Sequence, residues 1–136
     1  MYPQTHFAFG LLFIILLGIF TPLPLLALFI ILASSILIDV DHWFAYVKEK
    51  KNYSVSAAYR WCVNNAQEHK KEKKQFLCIF HTVEFMALMF ILSFFSNIIF
   101  YITIGFSFHL LIDVIDSIIQ KEMRKGLSII YFMLKQ

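Results

Sequence analysis

Hydrophobic residues gather into four long runs along this chain, and the polar residues inside those runs are few and chemically alike. The runs cover residues 5–20, 22–38, 75–95 and 98–119. Each approaches the roughly 20 residues that a helix needs to cross a bilayer core, the first two being somewhat short. Thr21-Pro22-Leu23-Pro24 separates the first pair and Ser96-Asn97 the second. Proline is tolerated in a first helical turn and Ser or Asn caps one, so both breaks suit tight connections between antiparallel helices. The pattern predicts two helical hairpins.

Composition places those hairpins in a membrane. Of 136 residues, 60% are hydrophobic and only 15% charged, and the mean hydropathy is +0.71. The expected fold is all-α: an integral membrane four-helix bundle forming a single domain over residues 1–136. The first run has no Lys or Arg before it and no small-residue cleavage site after it, and another apolar run follows at once. It is expected to be a retained span and not a signal peptide.

Charge sets the expected orientation. All 12 Lys and Arg residues lie between Lys48 and Lys74 or from Lys121 onward, and the two short turns on the other side carry none. Positive-inside segregation then places both termini and the loop 48–74 in the cytoplasm, with the chain as a multi-pass protein of the cytoplasmic (inner) membrane. The net charge of +3 acts on topology and lipid headgroups. There is no aromatic-interleaved basic module, so no nucleic-acid partner is expected.

Within the loop, the Lys-rich ends flank a middle in which Tyr53, Val55, Ala57, Ala58, Trp61 and Cys62 can form the apolar side of an interfacial helix, with a partly disordered loop as the alternative. The segment after Lys125 is apolar but too short to span, and is expected at the interface or against the bundle. Cys62 and Cys78 have no companion cysteines and read as reduced thiols packed as small hydrophobes, with a disulfide or a zinc knuckle as the lesser alternative. His69, in a Lys-rich stretch, reads as solvated.

The polar residues of the apolar runs carry the candidate chemistry. His6 opens the first run, Asp39-Val40-Asp41-His42 closes the second, His81-Thr82-Val83-Glu84 opens the third, and His109 and Asp113 lie in the second half of the fourth. Because the runs alternate direction, all of these fall toward one side. Helical rise puts Asp39, Asp41 and His42 roughly 9 to 14 Å below Lys48, His81 and Glu84 roughly 10 to 15 Å below Lys74, and His109 and Asp113 roughly 12 to 18 Å below Lys121. His6, near the N-terminus, is expected close to the interface unless the N-terminus dips inward.

Spacing supports shared ligation. His81 and Glu84 at i,i+3, and His109 and Asp113 at i,i+4, are expected to project from one helical face each. Asp39 and Asp41 at i,i+2 suit a helix end where the backbone leaves α geometry, one carboxylate bridging two ions while its neighbour lies in the second shell. A single intramembrane His or Asp is commonly a helix-helix hydrogen-bonder or a cap. The set together points to metal, since imidazoles and carboxylates are costly in hydrocarbon without partners. Four histidines with at least four carboxylates suit two or three Zn²⁺ ions, with Mn²⁺ or Fe²⁺ also compatible. Such a cluster can activate water and clamp a phosphoryl group. Asp116, close to Lys121, reads more readily as a cap or interfacial carboxylate.

These motifs together resemble the YdjM-like membrane-bound metal-dependent hydrolases, whose pattern is an N-terminal His, a D-[IV]-D-H motif at a helix end, a further His segment and a G-x-x-x-H-x-x-x-D helix. Gly105-Phe-Ser-Phe-His109-Leu-Leu-Ile-Asp113 matches the last element. Ile38 stands where a Pro is common, and Phe80-His81-Thr82-Val83-Glu84 replaces the usual H-R-G-x-T-H-S, with Glu84 in place of a His. The resemblance implies kinship with zinc-dependent phospholipase C and the fungal zinc nucleases, and hydrolysis of a phosphate ester.

The leading expectation is a phosphoesterase acting on a membrane lipid or lipid-linked substrate entering from the cytoplasmic leaflet. Asp41 or Glu84 would serve as general base, and Arg60 or the Lys-rich loop would attract the anion. The first alternative is a non-enzymatic metal-binding or ion-translocating membrane protein, which would need a polar path onward. A different membrane metalloenzyme is a further alternative; the absence of H-E-x-x-H, H-x-x-x-H and H-x-x-H-H counts against it.

Overall fold

The computed structural model describes residues 3–68 and 78–119. Those residues are all-helical, without a strand: α1 (Pro3–Phe20), α2 (Leu25–Leu37), α3 (Val40–Lys50), α4 (Val55–Glu68), a 3₁₀ turn (Ile79–His81), α5 (Val83–Ser93) and α6 (Asn97–Ile119). The two breaks read from the sequence are the connections α1–α2 and α5–α6. Each joins packed neighbours, and α2 also lies along α6. Two helical stretches, Leu25–Lys50 and Asn97–Asp116, are long and apolar enough to cross a membrane.

Burial is inverted relative to a water-soluble domain. Among the described residues nine polar or charged side chains are buried against six hydrophobic ones, while large apolar residues such as Phe20, Leu25, Phe29, Phe95 and Ile119 lie exposed. Helices apolar on their outer faces and polar within are what a hydrocarbon solvent selects.

Close approach of α2 and α6 depends on small residues. A Cβ at Gly105 would overlap the Ser34 hydroxyl and the Ile31 carbonyl, so glycine alone fits this crossing. Gly10 on α1 faces Ser35 Oγ and Leu32 on the other side of the same helix. The two serines turn their hydroxyls back onto their own helix, to the Ile31 carbonyl at 3.0 Å and the Leu32 carbonyl at 2.8 Å, so they present no unpaired donor to the apolar interior. Phe13 stacks on Phe108 with centroids 3.9 Å apart and ties α1 to α6.

Three features differ from the sequence expectation. The apolar run that closes at Asp39 continues as α3 after a turn at Ile38 and Asp39, giving 26 residues from Leu25 to Lys50. The third run is not one helix. Its described part begins with the 3₁₀ turn, and α5 holds only 11 residues, about 16 Å of rise. Thr82 causes that late start: its extended backbone and hydroxyl cap the new helix by accepting from Phe85 N at 3.3 Å. His81 therefore precedes the cap, and the shared helical face expected for His81 and Glu84 does not exist.

The loop middle is helical as α4, which settles that alternative. Lys51, in the left-handed conformation (φ 51°, ψ 33°), ends α3, and the chain turns so that α4 packs back on it through buried Ala58 and the Tyr46–Trp61 ring contact. The Cys62 side chain, His69 and the segment after Lys125 lie outside the described residues.

Candidate metal centre

Four chain segments deliver side chains to one point. Asp39 comes from the α2–α3 turn, Asp41 and His42 from the first turn of α3, His81 from the 3₁₀ turn, and His109 and Asp113 from α6. His6, from the first turns of α1, completes the set. It is buried: its Nε2 lies 3.3 Å from Asp113 Oδ1, and its ring stacks on His109 at 4.1 Å between centroids.

The backbone at the α2–α3 turn shapes the centre. The Asp39 amide bonds the Ile36 carbonyl at 3.3 Å, three residues back instead of four, and His42 N bonds the Asp39 carbonyl at 3.1 Å in the same tightened manner. His109 Nδ1 donates to the Ser35 carbonyl at 2.7 Å, the group to which an uninterrupted α-helix would direct the Asp39 amide. That contact reaches across the α2–α6 crossing that Gly105 keeps close.

Two tautomers are fixed by these partners. A carbonyl only accepts, so His109 carries its proton on Nδ1. His81 Nδ1 lies 3.0 Å from Asp41 Oδ2 and donates to it, and the same oxygen accepts from Phe80 N at 3.2 Å. That leaves each imidazole its Nε2 facing inward, a lone pair available to a cation when the ring is deprotonated, and the two Nε2 atoms face each other at 3.3 Å. Asp39 Oδ1 lies 3.4 Å from His109 Nε2 and 3.7 Å from His81 Nε2; Asp113 Oδ2 lies 3.7 Å and 3.8 Å from the same atoms.

Converging lone pairs and anionic oxygens repel one another unless a cation lies among them. A tetrahedral ion bonded at about 2.0 to 2.1 Å keeps neighbouring ligand atoms about 3.3 to 3.4 Å apart, close to the spacings found here. Each imidazole is moreover oriented through its other nitrogen by a carboxylate or a carbonyl, the usual support of a metal-bound histidine. The residues present thus fit a metal ion.

Groupings of ligand atoms within 4.8 Å of one another are His6, Asp39 and His109; His81, His109 and Asp113; and Asp41, His42, Cys78 and His81. Glu84 belongs to none of them. It sits half-buried in the first turn of α5, where a carboxylate favours the helix N-terminus. Arg60 is exposed on α4. Two participants were not read from the sequence. Cys78 lies with Sγ 3.2 Å from His42 Nδ1, and was read only as a packed thiol. The Ser35 carbonyl is a backbone group and leaves no sequence signal.

No family model, curated protein or solved structure matches the chain.

Proposed function

We propose that this chain is a membrane-embedded metal-dependent hydrolase, a phosphoesterase acting on a lipid or lipid-linked phosphate at the cytoplasmic face of a four-span bundle. The observation that carries it is the pair of inward-facing Nε2 lone pairs of His81 and His109, flanked by Asp39 and Asp113, inside a bundle whose exterior is apolar. The resemblance of the Asp39-Val-Asp41-His42 and Gly105-to-Asp113 motifs to membrane-bound hydrolases supports the same reading, as does the segregation of Lys and Arg.

Zinc-type ions, when bound, would supply Lewis acidity for a phosphoryl oxygen and a nucleophile at neutral pH. His81, His109, Asp39 and Asp113, with His6, would hold them. Asp41 orients His81 through Oδ2 and is a positioning residue for that imidazole. Asp41 or Glu84 would serve as the general base, Glu84 being the one outside the ligand groupings. Arg60 and the lysines around it would draw an anionic headgroup toward the site. An ion-conducting role would need polar groups continuing away from the centre. Thr103, buried farther along α6, donates its hydroxyl to carbonyls of its own bundle, Ile99 at 2.8 Å or Met89 at 3.3 Å.

The test is hydrolysis in nanodiscs loaded with a panel of phospholipids and isoprenoid phosphates, with His109→Ala and a chelator as controls. Metal-dependent release of headgroup or phosphate is expected. A metal-replete wild type that releases neither from any member would overturn the enzymatic reading.

A further inference from the structure

Asp41 poses a question that the histidine–carboxylate centre leaves open. Its Oδ2 accepts from His81 Nδ1 and Phe80 N, yet Oδ1 is buried with no hydrogen-bond partner, in a residue only 7% exposed. An unpaired carboxylate oxygen in an apolar interior costs several times what an ordinary hydrogen bond contributes. Beside it lie His42 and Cys78. Sγ and His42 Nδ1 are 3.2 Å apart, and ligand atoms of Asp41, His42, Cys78 and His81 all fall within 4.8 Å of one another. Cys78 reaches this point from extended backbone ahead of the 3₁₀ turn, and His42 from the first turn of α3.

We propose that Cys78 Sγ, His42 Nδ1 and an Asp41 carboxylate oxygen form a second metal position, adjacent to the histidine–carboxylate centre and selective for thiophilic ions such as Zn²⁺. It rests on the reading that the first centre holds metal. A thiol–imidazole hydrogen bond alone accounts for Cys78 and His42 but leaves Asp41 Oδ1 unexplained; an ion bound by all three accounts for each. The two positions share a wall. His81 turns Nδ1 to Asp41 and Nε2 to His109, and Asp39 Oδ1 lies 3.6 Å from His42 Nε2 and 3.4 Å from His109 Nε2. A thiolate favours zinc-like ions over Mg²⁺ and Mn²⁺, which the neighbouring nitrogen and oxygen ligands alone discriminate less sharply.

The experiment uses the full chain with Cys62→Ser, so that Cys78 is its single thiol, titrated with Co²⁺ after chelation. A near-ultraviolet thiolate-to-cobalt charge-transfer band is expected, together with protection of Cys78 from alkylation that chelator reverses. Cys78→Ser should lose the band and keep the visible absorption of cobalt in the first centre; His109→Ala should lose that visible absorption. Cobalt binding without a thiolate band, and without protection of the thiol, overturns the second position and leaves the first intact. No cobalt binding at all overturns both.

Discussion

His81 and His109 bring their Nε2 atoms to 3.3 Å from each other while their Nδ1 atoms are taken by Asp41 Oδ2 and the Ser35 carbonyl. The pair thus offers two Nε2 atoms to a shared cation, with Asp39 and Asp113 beside them. Because the supports come from α2 and α3, and the rings from α6 and the 3₁₀ turn, a bound ion would clamp both hairpins.

Metal should therefore stabilise the fold, not merely decorate it. A ligand bound only by the native state at one hundred times its dissociation constant contributes about 2.7 kcal/mol. Thermal unfolding in detergent is expected to shift upward with zinc and downward with chelator in the wild type. His109→Ala should show a much smaller shift. Equal shifts in both proteins would mean that the ion stabilises from elsewhere.

Asp41→Asn keeps the shape of the side chain and removes its charge. Loss of a carboxylate behind a metal-bound histidine typically weakens metal affinity ten- to a hundredfold. The expected loss in the first centre is of that order, measured by competition with a chromogenic chelator in Cys78→Ser protein so that the second position does not contribute. Unchanged affinity would show that the Phe80–Asp41–His81 contact does not support the ion.

Much of this was legible in the chain. Run lengths and the proline and Ser-Asn breaks give two hairpins, and alternating direction brings the ends of α2 and α6 and the starts of α1 and α5 to one level, so His6, Asp39, His81, His109 and Asp113 meet. What stayed hidden depends on backbone detail. Thr82 takes the cap position and leaves His81 outside α5, so helical spacing wrongly paired His81 with Glu84. The apolar pattern does not record that the helix resumes after Asp39, and Cys78, read as a small hydrophobe, acquires its meaning only from His42 on an element distant in sequence.

Gly105→Ala tests the crossing on which the His109–Ser35 contact depends. The new methyl would press on the Ser34 hydroxyl and the Ile31 carbonyl, and a backbone carbonyl has little room to yield. Overpacking of this kind costs about 1 to 3 kcal/mol. Lower thermal stability and weaker metal binding are expected together. Gly18→Ala is the control, since its methyl would meet only the flexible tip of Leu28, at 3.2 Å. Equal stability of the two variants would show that the crossing tolerates separation.

Orientation decides which leaflet supplies the substrate. Every Lys and Arg lies between Lys48 and Lys74 or from Lys121 onward, while the short breaks Thr21 to Pro24 and Ser96-Asn97 carry no charge. Cytoplasmic retention of Lys and Arg near span ends would put the centre within reach of the cytoplasmic leaflet. In a protein with Cys62 and Cys78 replaced by serine, a cysteine at Pro22 or Asn97 should react with an impermeant maleimide on intact cells. A cysteine at Asn52 should react only after permeabilisation. The opposite pattern would place the metal centre on the outer side, where lipid phosphates reach it from the other leaflet and the proposed cytoplasmic product could not form.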